Sequence, residues 1–440
     1  MMKKLYIKTY GCQMNVYDSL KMQDLLNPMG YTPTETINEA DMVILNTCHI
    51  REKATDKVYS ELGRIRQIKD KFKSDMIIVV AGCVGQAEGD KILKQAPWVN
   101  IVVGPQSYHT LPELILKIGR DNKQAINLEF LEDTKFDDLP EALQPQGISA
   151  FLTIQEGCDK FCKFCCVPYT RGAEFSRSIE EVYREARSIV AKGSKEITLL
   201  GQNVNAYHGV DHNGKVYSLA SLMHLLSNIK DLERIRYSTS HPIDMTDDLI
   251  EAQGSVKQIQ PYLHLPVQSG SDKILQHMNR KHDTKFFLDI VKKLRKVCPD
   301  LAMSSDFIVG YPGETEEDFL ETISLVKEVG FTLSYSFKYS PRPGTPGSLM
   351  EQVPEDVKDD RLQRLQSLLN QQQKDFNESF YDKELEVLVE KEGKKAGQYV
   401  GKSQYMQSVI IDDAKEMLGK IVKVKITEVL AHTLKGKVIM

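Results

Sequence analysis

The sequence predicts an α/β protein in three parts, and three observations support this division. Strand-like and helix-like segments alternate through the first 345 of 440 residues, the turn-rich run PRPGTPG at 341–347 ends that pattern, and short strands separated by polar turns follow. We therefore expect an N-terminal open parallel α/β domain at 1–140, a central partial (β/α)6 barrel with a linking helix at 147–375, and a small C-terminal β-barrel at 376–440.

The first part contains four apolar strands, each followed by a helix-like or polar segment. The strands are KLYIKTY, DMVILN, MIIVVAG and NIVVG. Continuous apolar strands between helices indicate a parallel sheet that is covered on both faces.

Three isolated cysteines occupy the same position relative to this predicted sheet. Cys12 follows the first strand, Cys48 the second and Cys83 the third. Because the carboxyl ends of parallel strands lie at one edge of a sheet, we expect the three thiols to be neighbours. Buried structural cysteines are the alternative, but the repeated position favours a metal site.

The central part repeats strand and helix six times. The predicted strands are AFLTIQE, EITLLGQNV, RIRYSTS, YLHLPVQ, MSSDFIVG and TLSYSFKYS. Six such units indicate a partial parallel barrel whose active site lies at the carboxyl ends of its strands. The segment GCDKFCKFCC at 157–166 directly follows the first of these strands.

This segment presents Cys158, Cys162 and Cys165 in the spacing C-x3-C-x2-C. A structural zinc site is closed by four ligands, and no second cysteine pair follows. Three thiolates instead suit a four-iron cluster with one open iron. Cys166 also permits C-x3-C-x3-C, so it is an alternative third ligand.

The C-terminal part is basic, although the whole chain has a net charge of −4, which excludes a uniformly basic nucleic-acid binder. Residues 391–440 contain ten lysines and five acidic residues. Tyr399, Lys402 and Tyr405 interleave aromatic and basic groups, a combination that suits RNA stacking and phosphate contact. A solvated barrel surface is the alternative.

Cysteine use and hydropathy indicate the compartment. No stretch is long enough to span a membrane, and the apolar run at the N-terminus is too short for a signal peptide. We therefore expect a cytoplasmic protein without membrane contact, in which clustered cysteines serve metal or redox chemistry rather than disulfides.

Arg171 and Arg236 are expected to form structural ion pairs.

The cysteine spacing after the first barrel strand resembles that of the radical S-adenosylmethionine superfamily. The whole chain resembles the methylthiotransferase family within it, with a C-terminal RNA-binding barrel of the TRAM type. Five motifs are similar to the branch that makes 2-methylthio-N6-isopentenyladenosine in tRNA: TYGCQMNVYDS (9–19), NTCHIREKATDKVYSELG (46–63), AGCVGQAEG (81–89), CVPYTRG (166–172) and YSPRPGTP (339–346).

The resemblance implies cofactors, partners and site residues. It implies two [4Fe-4S] clusters, the radical-generating one on Cys158, Cys162 and Cys165 and an auxiliary one on Cys12, Cys48 and Cys83, with no catalytic residue assigned beyond these ligands. S-adenosylmethionine is expected near Gly201, Gln202, Asn203, Gln268 and Asp306, of which the last two are equally consistent with buried polar groups. The expected partners are a tRNA anticodon stem-loop and an electron-donor protein, and the chain is expected to be a monomer.

Two other functions are compatible with parts of the sequence. A methylthiotransferase with the same clusters could act on threonylcarbamoyladenosine or on a ribosomal-protein side chain. A non-catalytic, zinc-bearing RNA-binding protein would account for the cysteines and the basic tail, but both triads lack a fourth ligand.

Overall fold

The computed structural model describes residues 2–48, 53–73, 75–121, 123–130, 135–140 and 145–439. The N-terminal part is an open sheet in the order β2-β1-β3-β4-β5-β6, and all of its strand pairs are parallel. One apolar cluster covers each face of this sheet. The predicted open parallel α/β domain is therefore confirmed. Its strands are β1 (Lys3–Thr9), β2 (Tyr31–Pro33), β3 (Met42–Thr47), β4 (Ile77–Gly82), β5 (Ile101–Val103) and β6 (Ala125–Asn127), and its helices are α1 (Gln13–Leu26), α2 (Lys53–Phe72), α3 (Cys83–Glu88), α4 (Asp90–Gln95) and α5 (Leu111–Asp121).

The central part has two groups of parallel strands and two small antiparallel pairs. Its strands are β7 (Ser149–Thr153), β8 (Gln155–Glu156), β9 (Phe175–Ser176), β10 (Glu196–Leu200), β11 (His208–Val210), β12 (Val216–Ser218), β13 (Arg234–Ser238), β14 (Tyr262–His264), β15 (Ala302–Val309) and β16 (Leu333–Lys338). Its helices are α6 (Val167–Arg171), α7 (Ile179–Ala191), α8 (Leu219–Leu226), α9 (Asp247–Ser255), α10 (Asp272–His277), α11 (Thr284–Val297), α12 (Glu316–Val329) and α13 (Glu355–Glu378).

The six parallel strands of this part form the predicted partial barrel. They pair as β7-β10-β13 and β14-β15-β16, and the backbone of Ile235 bonds to Gln258 and Gln260 between the two groups. In the described part of the chain no ladder joins β16 back to β7, so the barrel is open on that side. Apolar side chains such as Leu152, Ile197 and Phe307 face the surrounding helices and form one large core.

The C-terminal part is a closed five-stranded barrel, as the sequence predicts. Its strands are β17 (Glu384–Glu392), β18 (Gln398–Ser403), β19 (Ser408–Asp412), β20 (Ile421–Val429) and β21 (Leu434–Val438).

Two buried arginines of β13 attach this barrel to the amino ends of the central strands. Arg234 donates to the carbonyl oxygens of Lys402 at 2.9 Å and Glu386 at 3.0 Å. Arg236 donates to the carbonyl oxygens of Ser403 and Gln404, and its expected ion pair is present, with Glu196 at 2.9 Å. The opposite, carboxyl-terminal face of the central strands is not covered by these contacts.

A buried charge cluster joins α1 to the central part. Glu185 lies between Arg177 and Lys21, each at 2.8 Å, and the hydroxyl of Tyr17 donates to the same carboxylate. Burial alone would raise the pKa of Glu185, but the two cations outweigh it and lower the pKa to about 2.

This cluster predicts acid sensitivity. Because the pKa of Glu185 is lower in the folded chain than the unfolded value of about 4.3, its contribution to the free energy of unfolding is complete above about pH 5 and is lost as the pH falls towards 2. We expect the melting temperature to fall through this range, and the fall to be shallower in Glu185→Gln. Parallel melting profiles for the two proteins would contradict this prediction.

Within the described residues, no helix combines the length and apolar character that a membrane crossing requires.

Candidate functional site

The three N-terminal cysteines lie at the carboxyl ends of three adjacent strands. Cys12 caps α1 just beyond β1, Cys48 follows β3 and Cys83 is the first residue of α3 after β4. The residues that precede Cys48 and Cys83, Thr47 and Gly82, are paired across β3 and β4. The structure therefore places all three thiols at one edge of the sheet.

Cys12 and Cys48 approach each other closely. A Cβ atom on Gly11 would lie 2.4 Å from the Cβ of Cys48, so only glycine permits this approach. A hydrogen bond from the Cys48 thiol lowers the pKa of Cys12 to about 6 against the effect of burial, and the charge of Arg171 adds to the lowering. The thiolate is the form that binds metal, so this position is suited to a ligand.

The central cysteines lie on the loop between β8 and α6. The amide of Cys165 donates to the carbonyl oxygen of Cys162 at 2.9 Å. Burial raises the pKa of Cys158 to about 11 and that of Cys165 further, and the charge of Cys162 raises both. Metal binding requires the thiolate form, so a bound metal cation would replace the protons of Cys158 and Cys165.

Each triad offers three thiols and no fourth ligand from a second cysteine pair in the sequence. In the described parts of the chain, no three Cys, His, Asp or Glu side chains are grouped closely enough to chelate a single ion. A four-iron cluster binds each thiolate through a different iron, so its ligands lie farther apart than those around one zinc ion. The donor set, three thiols in each group, fits such a cluster.

Helices α3 and α6 bring the two triads together. Cys83 begins α3, Cys166 caps α6, and the two helices pack against each other. Burial and the charge of Cys83 raise the pKa of Cys166 to about 11. Cys166 therefore lies between the two groups of cysteines.

A second buried charge cluster fixes this arrangement. Arg171, at the end of α6, forms ion pairs with Asp18 of α1 at 2.7 Å and with Glu156 of β8 at 3.0 Å. Lys135 completes the cluster at 2.8 Å from Glu156. The expected structural ion pair of Arg171 is thus present, and it joins the domains that carry the two cysteine triads.

Three of the residues expected near S-adenosylmethionine follow β10 directly. The side-chain oxygen of Gln202 accepts a hydrogen bond from the amide of Gly157 at 2.7 Å, beside Cys158. Asn203 donates to Asp244 at 2.9 Å, while its own side-chain oxygen is buried without a partner among the described residues. Gly201 has no space for a side chain. The tight turn after β10 therefore contacts the cysteine loop.

The other two residues expected near S-adenosylmethionine, Gln268 and Asp306, lie on the second group of central strands. Gln268 adopts a left-handed conformation with φ of 79°, which is strained for a residue with a side chain, and its backbone bonds to β15. Asp306 of β15 lies 3.4 Å from the Nε2 atom of His264, and 30% of its side chain is exposed.

The three residues expected at the RNA surface instead have packing and docking contacts. The ring of Tyr399 is buried in the core of the C-terminal barrel. Lys402 donates to Ser408, and its carbonyl oxygen binds Arg234. Tyr405 donates to Asp300 at 2.7 Å, and its ring packs on two phenylalanines of the α13 region. A ring in the barrel core cannot stack on a base, so the expectation for Tyr399 is corrected to a packing role.

Gly157 is expected to be essential for the cysteine loop. Its φ is 71°, and a Cβ atom there would lie 1.8 Å from the carbonyl oxygen of Ala173. Gly157→Ala should add backbone strain of about 1–3 kcal/mol and a clash that displaces Cys158, which would lower the iron bound per chain after anaerobic reconstitution. Gly214→Ala is the control because its φ is 80° and no atom lies within 4 Å. Equal iron contents would contradict the prediction.

Comparison with known proteins locates three matching family models along the chain. Residues 4–104 match "Uncharacterized protein family UPF0004", residues 152–326 match the radical SAM superfamily and residues 382–439 match the TRAM domain. A tRNA-2-methylthio-N(6)-dimethylallyladenosine synthase of Rickettsia felis is 60% identical over 445 residues, and one of Rickettsia bellii is 60% identical over 444 residues. Each match covers 100% of both chains.

The chain belongs to the tRNA-2-methylthio-N(6)-dimethylallyladenosine synthase family. The resemblance seen in the sequence motifs is therefore confirmed. As a member of the radical S-adenosylmethionine superfamily, this synthase-family chain has an iron–sulfur cluster and S-adenosylmethionine as cofactors. The TRAM domain and the names of the full-length relatives imply that tRNA is its substrate.

Solved structures confirm the fold of this synthase-family chain. The radical S-adenosylmethionine methyltransferase TsrM from Kitasatospora setae has a TM-score of 0.58 and 12% identity, with 79% of this chain and 74% of that chain covered. The cobalamin-dependent enzyme OxsB has a TM-score of 0.53 and 13% identity, with 83% of this chain and 56% of that chain covered.

Proposed function

We propose that the protein is a tRNA-modifying radical S-adenosylmethionine enzyme that methylthiolates C2 of N6-isopentenyladenosine next to the anticodon. The observation that carries this proposal is the pairing of two cysteine triads, each at the carboxyl ends of parallel strands, across one buried domain contact between Asp18 and Arg171. The names of the full-length relatives support the choice of substrate.

Each triad holds one [4Fe-4S] cluster in this proposal. Cys158, Cys162 and Cys165 would be the ligands of the radical-generating cluster; Cys162 is buried, and Cys158 and Cys165 are half-buried. Cys12, Cys48 and Cys83 are the ligands of an auxiliary cluster that carries the sulfur. Cys166, the N-cap of α6, is not assigned as a ligand in this proposal; the charge of Cys83 reaches it, which places it beside the auxiliary site.

The chemistry of the substrate explains why a radical is needed. The C2–H bond of adenine is neither acidic nor nucleophilic, so general acid or base catalysis has no group to act on. When bound, the radical cluster and S-adenosylmethionine supply a carbon-centred radical that activates this position. The chain's own residues bind and orient: the turn at Gly201, Gln202 and Asn203 contacts the cysteine loop, and Gln268 and Asp306 lie at β15 in the second group of strands.

The tRNA reaches this site from the carboxyl-terminal face of the central strands, since the C-terminal barrel is attached at the other end. An adenosine in an anticodon loop can be turned out of its stack and inserted into a pocket. The basic barrel then contacts phosphates. The three domains comprise residues 1–140, 147–375 and 376–440. The enzyme is a cytoplasmic monomer, and a donor protein supplies its electrons.

Analysis of tRNA nucleosides tests this function. Cells that lack the gene should contain N6-isopentenyladenosine without its 2-methylthio derivative, and the parent gene should restore the derivative. A gene with Cys158→Ala, Cys162→Ala and Cys165→Ala should fail to restore it, while Cys298→Ala, a buried thiol outside both triads, should succeed. Normal 2-methylthio levels in the deletion strain, or turnover by the purified protein of only threonylcarbamoyladenosine or a ribosomal protein, would refute the proposal.

A further inference from the structure

Arg280 is a buried arginine that contacts a cysteine of the central triad. It is 9% exposed, and its Nη1 atom donates to the Sγ atom of Cys162 at 3.7 Å. Its Nη2 atom donates to the carbonyl oxygen of Pro266, and its Nε atom is buried without a partner among the described residues. The guanidinium therefore faces the thiol from a fixed position.

The segment before Arg280 holds the same cysteine loop. The carbonyl oxygen of Met278 accepts from the amide of Lys163 at 3.0 Å, and Asn279 donates to the carbonyl oxygens of Lys160 and Phe161. Asn279 is itself in a left-handed conformation with φ of 61°. The end of α10 and the cysteine loop thus form one unit, which keeps Arg280 against Cys162.

The guanidinium of Arg280 lacks an acidic partner in the part of the chain that the structure describes. Within the described residues, no Asp or Glu forms an ion pair with its guanidinium. Two histidines lie beside it, and burial together with the charge of Arg280 lowers the pKa of both His241 and His282, so both rings are neutral at physiological pH. A buried guanidinium requires a counter-charge, and the sulfur of Cys162 is the group placed to provide it.

We propose that Arg280 is a positioning residue that sets the reduction potential of the cluster bound by the central triad. The inference rests on the proposed function, because it takes Cys162 as a cluster ligand. Hydrogen bonds to cluster sulfurs and nearby charge are main determinants of reduction potential. A fixed positive charge and an N–H group on Cys162 favour the more negative, reduced state, so Arg280 raises the potential and makes the cluster easier to reduce.

The test is a redox titration of a chain with a single cluster. Cys12→Ala, Cys48→Ala and Cys83→Ala are combined to remove the auxiliary site, and the reduced cluster is followed by electron paramagnetic resonance. Arg280→Gln should lower the ratio of reduced to oxidised cluster about tenfold at a fixed potential, a shift of about 59 mV for a one-electron couple. Arg280→Lys, which keeps the charge, should recover part of this shift.

The matched control is Arg295→Gln. Arg295 also donates to a backbone carbonyl oxygen, that of Val329, and is hydrogen-bonded to no cysteine among the described residues, so its removal should leave the potential unchanged. An Arg280→Gln protein with four irons and a ratio within twofold of the parent's would overturn only the inference. Loss of iron from both Arg280 variants would also overturn it, since Arg280 would then be needed for assembly. Absence of the signal from the single-cluster parent would overturn the proposed function as well.

Discussion

Replacement of Cys12, Cys48 and Cys83 by alanine is expected to separate the two chemical activities of the protein. Cleavage of S-adenosylmethionine to 5′-deoxyadenosine should continue, while formation of the 2-methylthio nucleoside should fall to background. The reason is that these thiols belong to a different domain from Cys158, Cys162 and Cys165, so their removal leaves the radical-generating triad intact. Both products can be quantified by mass spectrometry in one reaction with prenylated tRNA.

Two further variants make this result specific. Alanine at the three central cysteines should abolish both products, because no radical would form. Cys298→Ala should retain both, since this thiol lies at the end of α11, outside both triads, and its Sγ atom donates to Asp300. Methylthio product from the chain without Cys12, Cys48 and Cys83 would show that the N-terminal cysteines have only a structural role.

Loss of Arg171 is expected to destabilise the contact between the N-terminal and central domains. Arg171→Met would leave the carboxylate of Asp18, which is 2% exposed, without its closest cation, because Lys135 lies 3.8 Å away on the other oxygen. Removing one partner of a buried ion pair costs about 3–5 kcal/mol. We expect this loss in the free energy of unfolding, measured by denaturant titration, and increased cleavage between the domains in limited proteolysis.

The surface pair of Lys293 and Asp247 provides the control. Its atoms are 2.6 Å apart, but 57% of the lysine and 83% of the aspartate side chain are exposed. Lys293→Met should therefore cost less than about 1 kcal/mol. Because Asp18 and Arg171 act together, Asp18→Asn combined with Arg171→Met should cost less than the two single changes added. An Arg171→Met protein as stable as Lys293→Met would refute the domain contact.

The long strands and the cysteine positions could be read from the sequence. Runs such as MIIVVAG are apolar throughout because both faces of β4 are buried. The cysteine that follows each strand lies at the carboxyl edge of the sheet because the strands are parallel. The edge strands β2 and β6 have three residues each and give no comparable pattern. The same alternation of apolar strands and helices predicts the partial barrel.

The contacts that assemble the site could not be predicted in this way. Asp18 and Arg171 are 153 residues apart, and the contact of Arg280 with Cys162 spans 118 residues, so no local pattern indicates either pair. The burial of Tyr399, in contrast, could have been predicted from the alternation of side chains along β18. Alternate residues of β18 point into the barrel, and Tyr399 shares its face with Gly401 and Ser403, whereas Lys402 lies on the other face.

The central claim, two four-iron clusters on two cysteine triads, is tested most directly by counting iron and acid-labile sulfide per chain. The parent protein and the Cys12→Ala/Cys48→Ala/Cys83→Ala variant are purified and reconstituted side by side without oxygen. We predict about eight irons and eight sulfides in the parent, and about four of each in the variant. About four irons in both proteins would contradict the account, because the N-terminal cysteines would then hold no cluster and the sulfur would have no carrier.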